Sequence, residues 1–220
     1  MATRLPRANI KKWFENNAQP YKELMTYYRC AMMAVETKFN ILNQEFSLRY
    51  DRNPIETIKT RLKSVESIVE KLERRKIFPT VESIEANITD IAGVRVICSY
   101  QADIYLLAEA LLSQDDVTLV TKKDYIVNPK ANGYSSLHLI IETPIFLHDR
   151  KRMMKVEVQL RTISMDWWAS LEHKIKYKKN IPPDVAKELE KELFECAVVS
   201  REIDRRMERI QEKADKYIVD

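Results

Sequence analysis

The sequence predicts an α+β fold, with a small mixed β-sheet in the middle of the chain and long helices before and after it. Three observations predict it. Apolar residues recur at helical spacing over residues 21–46. Four short apolar runs of β-type composition fall between residues 94 and 160. A second, mostly polar helical pattern occupies the end of the chain.

In the first helix the stripe is Tyr21, Leu24, Tyr28, Met32, Val35, Phe39 and Leu42. Arg52-Asn53-Pro54 breaks it, and Pro54 suits the first turn of a second helix. Ile55, Ile58, Leu62, Val65, Val69 and Leu72 form that helix's expected stripe, which ends near Pro79. Residues 94–98 read as a strand and 104–112 as a helix. Strands are expected over 117–122, 137–143 and 154–160. Thr162 or Ser164 can cap a helix running through Tyr177. Pro182-Pro183 punctuates, and a helix follows to about Tyr217, with Val185, Leu189, Leu193, Ala197, Ile203, Met207 and Ile210 expected inward. Residues 1–220 thus read as a single domain: N-terminal helices over 20–78, a central sheet with the candidate site over 88–162, and C-terminal helices over 163–217.

The 220 residues suffice for a sizeable core, and 45% are apolar. With 37 basic and 33 acidic residues the net charge is +4, less than the basic excess of a dedicated nucleic-acid binder. It suits a local basic pocket for a polyphosphate. The cysteines, Cys30, Cys98 and Cys196, are odd in number and far apart, which excludes a zinc ribbon or disulfide framework and fits a reducing cytoplasmic compartment. No apolar run is long enough to span a bilayer, and the first residues lack a signal-peptide core. There are two glycines, Gly93 and Gly133, where average usage would give roughly 15. Neither GxxxxGK[ST] nor GxGxxG can be written, and the two glycines mark places where the backbone has special needs.

Strand alternation assigns the polar face. Over 154–161, Met154, Val156, Val158 and Leu160 share one side, and Lys155, Glu157, Gln159 and Arg161 the other. Arg95 and His138 stand in otherwise apolar strands. Asp90 precedes the Gly93 turn, so Asp90 and Glu157 can together hold one Mg²⁺, which takes one or two carboxylates and completes its shell with phosphates and water. The Asn132-Gly133 turn presents Tyr134 beside Lys130 and His138, which suits a base stacked on the ring with cations on its phosphates. Read from these residues alone, a solvated sheet face, an ordinary hairpin turn and a solvated basic helix remain open beside the phosphate-binding reading.

The blocks RLKSVESIVEK (61–71), DIAGVRVIC (90–98), KDYIVNPKANGYSSLH (123–138), EVQLRT (157–162) and WWASLEHKIKYK (167–178) together resemble the synthetase domain of the RelA/SpoT alarmone synthetases, over roughly residues 20–215. The resemblance implies a nucleotidyltransferase-like fold and transfer of the β,γ-pyrophosphate of ATP to the 3′-hydroxyl of GDP or GTP, with Mg²⁺. It implies adenine between Arg61 and Arg95, and ATP phosphates on Lys63, Ser67, Lys71 and Arg74. Asp90 and Glu157 would hold the metal, with Glu157 as the base. On the acceptor side, Tyr134 would stack on guanine. Lys123, Lys130, Asn132, His138, Gln159 and Arg161 would support the acceptor, and Asp166 and Glu172 would meet the guanine edge. It also implies a small, synthetase-only member that makes alarmone without degrading it and assembles as a homotetramer. The resemblance leaves product activation open, because Asn40 and Asn43 stand where members activated in that way carry basic residues. Two rivals remain: a pyrophosphotransferase acting on tRNA or adenine nucleotides, and an inert regulator binding nucleotide or RNA. No membrane or DNA partner is expected, and the modest charge does not indicate RNA.

Overall fold

The computed structural model describes residues 13–14, 16–50, 52–176 and 181–217. The first helix, α1 (Ala18–Tyr50), is followed by β1 (Ile55–Leu62), α2 (Val65–Arg75), α3 (Val81–Asn87), β2 (Ala92–Cys98), α4 (Gln101–Leu112), β3 (Thr118–Asp124), β4 (Leu137–Phe146), β5 (Lys151–Thr162), α5 (Ile163–Lys176) and α6 (Pro183–Asp215). The strands form one sheet in the order β1-β2-β5-β4-β3. It is mixed: β2 and β5 run parallel, and the other pairs are antiparallel.

The main core lies on one face of the sheet. Val94, Val96, Leu139, Ile141, Val156 and Val158 are buried there against Leu24, Tyr28, Val35 and Phe39 of α1 and Ile104, Leu107 and Leu111 of α4. Each such side chain contributes about 1.5–3 kcal/mol through its burial. The other face carries the polar residues and is partly covered by α5 and α6.

The expected second helix from 55 to 79 is not formed. Residues 55–62 are a strand, and α2 begins only after Ser64, whose side chain accepts from the Ser67 amide and caps it. The pairing of β1 with β2 shifts between Ile55 and Thr57. That bulge puts an extra residue between Ile55 and Ile58, so a spacing of three keeps both on one face and imitates a helical stripe. Helix α3 was not expected either; Thr80 and Ser83 form a capping box at its start.

The other elements lie close to expectation. Strand β4 runs through Pro144, beyond the point where pairing with β3 ends at Glu142, so the missing N–H breaks no bond on that side. Thr162 caps α5, its hydroxyl accepting from the Met165 amide at 3.2 Å. The expected last residue of that helix, Tyr177, lies outside the described residues. The inward face of α6 follows expectation at Leu193 and Ala197, which pack against Trp168 and Ala169, and departs from it elsewhere: Val185, Ile203, Met207 and Ile210 are exposed, whereas Ser200 and Asp204 are buried. Polar contacts seat this helix, including Asp204 on the Thr162 hydroxyl at 2.8 Å and Gln211 on the Tyr100 hydroxyl at 2.8 Å. The C-terminal part of its apolar stripe, Ile203, Met207 and Ile210, therefore points away from the core. Among the described residues no helix is long and apolar enough to cross a membrane.

Candidate active site

Sheet register assembles the site. Lys59 pairs with Arg95, Arg95 with Gln159, Gln159 with His138 and His138 with Lys123, so one polar row crosses all five strands on the same face. The next row holds Arg61, Gly93 and Glu157. Gly93 offers no side chain between Arg61 and Glu157, which leaves the floor open. Lys59, Arg95 and Gln159 of the first row and all three residues of the second line a cleft of about 650 Å³, bounded by Lys63 and Asp90 on one side and by Tyr134, Ala169, Ser170, Glu172, His173 and Lys174 on the other.

Asp90 sits between two lysines. Lys71 Nζ lies 2.7 Å from Oδ1 and Lys63 Nζ 2.9 Å from Oδ2. Burial pushes this carboxyl up, but the hydrogen bonds and charges of Lys71 and Lys63 outweigh it and hold it below the usual range. Lys63 arrives at the end of β1 and Lys71 lies along α2, so both reach the carboxylate that precedes β2.

Glu157 closes a ring of polar contacts. Gln159 Nε2 donates to Glu157 Oε2 at 2.9 Å, and Arg161 Nη2 donates to Gln159 Oε1 at 3.2 Å. Arg161 also donates to the Tyr134 hydroxyl, which lies 2.8 Å from His138 Nε2. The circuit returns at His138 Nδ1, 3.5 Å from Glu157 Oε1. Burial raises the Glu157 carboxyl and nearby Asp90 adds to the rise; His138 and Gln159 together outweigh both, and the net direction is down. At neutral pH Glu157 is therefore an ionised acceptor of hydrogen bonds.

Asp166, at the start of α5, takes three cations. Lys59 Nζ is 2.8 Å from Oδ2, and Arg95 Nη1 and Arg161 Nη1 lie 3.2 and 3.3 Å from Oδ1. Burial opposes ionisation, yet Lys59, Arg95 and Arg161 together hold this carboxyl below its usual range.

Tyr134 follows Gly133, whose φ of 89° forms the turn that the sequence indicates. Lys130 Nζ lies 4.7 Å and Arg161 Cζ 5.1 Å from the Tyr134 ring centre. Asn132 accepts from the Tyr134 amide at 3.2 Å and donates to Glu172 at 3.2 Å, tying the loop to α5.

The fold thus brings together Arg61, Lys63, Asp90, Arg95, Tyr134, Glu157, Gln159, Arg161 and Glu172 around the cleft, with Lys71, His138 and Asp166 bonded directly to that set. It does not bring in Ser67, which is spent on the cap of α2, nor Arg74 and Lys123, which are exposed beyond the lining; Lys130 is exposed as well but lies over the Tyr134 ring. Lys59 was missed. Alternation with Arg61 would have found it once 55–62 was read as a strand. On α1, Asn43 accepts from the Ile55 amide at 3.2 Å and Lys38 pairs with Asp116 at 2.7 Å, so both serve the fold.

A family profile described as "Region found in RelA / SpoT proteins" matches residues 60–182. The chain is 47% identical over 197 residues to the GTP pyrophosphokinase YwaC of Bacillus subtilis, covering 90% of this chain and 93% of that one. Its structure is similar to that of small alarmone synthetase 2 from Bacillus subtilis, with a TM-score of 0.78 and 45% identity over 89% of this chain and all of the other. Small alarmone synthetase 1 from Bacillus subtilis, bound to its product pppGpp, also gives a TM-score of 0.78, at 31% identity over 89% of this chain and 98% of that one.

Proposed function

This chain belongs to the RelA/SpoT family, and we propose that it works as a GTP pyrophosphokinase of the small alarmone synthetase type. It transfers the β,γ-pyrophosphate of ATP to the 3′-hydroxyl of GDP or GTP to make (p)ppGpp. The observation that carries the reading is one cleft in which two ionised carboxylates, Asp90 and Glu157, face a set of cations on the polar side of the sheet.

In the reaction the acceptor's 3′ oxygen bonds to the β-phosphorus of ATP, the bond from that phosphorus to the α–β bridging oxygen breaks, and AMP leaves. Positioning and charge neutralisation do most of the work in such transfers. Arg61 and Arg95 are diagonal neighbours on adjacent strands, and such pairs lie about 7–8 Å apart, room for one planar base between two guanidiniums. Lys63 and Lys71 bind the triphosphate. Tyr134 stacks on guanine once the exposed Lys130 turns from the ring to a phosphate, and Arg161 and His138 fix its hydroxyl. Glu157, half-buried and ionised, accepts the 3′-hydroxyl proton.

The hard oxygen donors Asp90 and Glu157 fit Mg²⁺, which keeps open positions for phosphate and water; among the described residues no group of three ligating side chains suggests another metal. When bound, the ion neutralises phosphate charge. A homotetramer belongs to the same reading, supported by the exposed Ile203, Met207 and Ile210 stripe on α6; a monomeric mass by light scattering would remove it. So does a cytoplasmic location, supported by three free cysteines and testable by cell fractionation.

The test is incubation with labelled ATP, Mg²⁺ and, separately, GDP, GTP, AMP or tRNA, with the products resolved. Label moves to GDP or GTP, and Glu157→Gln slows transfer about 10²–10⁴-fold with the melting temperature kept, the range for loss of a general base. Transfer only to AMP or tRNA, or an unimpaired Glu157→Gln, would refute the assignment.

A further inference from the structure

We propose that Asp166 is a positioning residue for the ATP side of the cleft, not a reader of the acceptor base, and that Lys59 is a further ATP-binding residue held ready by it. The proposal rests on the synthetase reading above.

Geometry separates the two roles. A carboxylate that reads guanine must have oxygens free to accept from the ring N1–H and the exocyclic amino group. Both oxygens of Asp166 are engaged, Oδ2 by Lys59 and Oδ1 by Arg95 and Arg161. The residue is 7% exposed, so a base edge could reach it only by displacing those cations. Glu172 lies further along α5, lines the cleft and receives the Asn132 amide from the tyrosine loop, which places it beside the acceptor instead.

The three cations depend on Asp166 unequally. Arg161 is also held by the Tyr134 hydroxyl, Gln159 Oε1 and Ser136 Oγ. Arg95 and Lys59 have, among the described residues, no other side-chain hydrogen-bond partner than Asp166. Burial and the neighbouring Arg161 already disfavour the charged form of Arg95. Without the carboxylate, Arg95 and Lys59 lose their anchor and Arg95 meets Arg161 unshielded, while Arg161 keeps its hold on Tyr134. The damage should therefore fall on ATP. Lys59 and Arg95 pair directly in the register, and Lys59 stands two residues from Arg61 on the same face of β1, so a lysine held there faces the same nucleotide.

Steady-state kinetics test this, with ATP varied at saturating GTP and GTP varied at saturating ATP. Inosine triphosphate, which lacks the 2-amino group, serves as second acceptor. The wild type must first transfer to GTP; failure there refutes the synthetase reading, not this one. Asp166→Asn is expected to raise the KM for ATP roughly tenfold, the scale of losing one hydrogen bond to a charged group. The KM for GTP and the preference for GTP over inosine triphosphate should stay within about twofold, inside the uncertainty of such energies. Lys59→Gln, at a side chain 54% exposed and so harmless to folding, should raise the KM for ATP alone, and Lys59→Arg should restore it. If Asp166→Asn instead erases the GTP preference with the ATP constant unchanged, Asp166 reads guanine and the proposal falls. It also falls if Lys59→Gln leaves the KM for ATP unchanged, or if either variant weakens both substrates equally.

Discussion

Gly133→Ala is the substitution whose cost can be worked most directly from the geometry. Gly133 has a φ of 89°, and a Cβ built there would lie 2.5 Å from the Cβ of Ala197, with Phe194 next at 3.5 Å. Two penalties add. Placing an L side chain at a left-handed φ costs about 1–2 kcal/mol. Overpacking against a helix costs about 1–3 kcal/mol more. The sum, about 2–5 kcal/mol, is a large share of the 5–15 kcal/mol that holds a typical domain together, and in a chain of this length corresponds to a fall in melting temperature of roughly 4–20 °C. The strain has one escape: the loop lifts off α6 and carries Tyr134 away from Arg161 and His138. Thermal melts and the KM for GTP read the two routes, and at least one must move. The double mutant Gly133→Ala/Ala197→Gly isolates the contact, because glycine at 197 removes the opposing methyl at a helix cost of about 1 kcal/mol but leaves the φ penalty. A positive coupling of about 1–2 kcal/mol is expected, within the range for residues in contact. Strict additivity, or a single variant with unchanged melting and unchanged KM, would refute the reasoning.

Two further outcomes are expected. Burial raises the Asp204 carboxyl more than Ser164, Thr162 and Gln101 lower it. With the folded pKa above the unfolded one, its stabilising contribution is full below the unfolded value of about 3.8 and is lost as pH rises through the folded value. Melting of Asp204→Asn should therefore gain on the wild type as pH rises from about 3 to 7, and parallel curves would count against the burial argument. Second, both oxygens of Asp90 are occupied by Lys63 and Lys71, so Mg²⁺ alone should leave the melting temperature unchanged, whereas Mg²⁺ with ATP should raise it. A clear shift with Mg²⁺ alone would show that the carboxylate is available without the nucleotide.

The parts legible in the sequence were those governed by local period. Strand β5 alternates Met154, Val156, Val158 and Leu160 with Glu157, Gln159 and Arg161, and the fold buries the first set and turns the second toward the cleft or its margin. The low glycine content directed attention to Gly93 and Gly133, and both shape the site. What local period could not supply was register. The bulge in β1 gave a strand a helical spacing, and with it Lys59 was lost from view. In α6 the seated face is Ala197, Ser200 and Asp204, chosen by partners on α5, at the end of β5 and on the loop before β4, so Ile203, Met207 and Ile210 proved to be on the outer side. The contact of Gly133 with Ala197 joins residues far apart in sequence, and no short-range pattern encodes it. The pairing of Asp166 with cations from β1, β2 and β5 is likewise a product of sheet order.

Sheet order also explains how so many cations share one face. Lys59, Arg95 and Arg161 converge on Asp166, and Lys63 and Lys71 on Asp90, so two carboxylates counter five positive charges in a partly buried cleft. Neither carboxylate lies within the central rows themselves; one precedes β2 and the other opens α5. Each holds its cations in place without filling the floor between Arg61, Gly93 and Glu157. A polyphosphate entering that floor meets donors already oriented, and the cost of arranging them has been met by the fold instead of by the ligand. Because the internal pairs are charge-assisted hydrogen bonds and not covalent links, a lysine can leave Asp90 for a phosphate oxygen with little net loss, since one anionic acceptor replaces another. The same exchange is harder at Asp166, whose side chain is the less exposed of the two and is shared by two guanidiniums and a lysine. Asp90 is thus the carboxylate suited to change partners during the reaction, and Asp166 the one suited to stay.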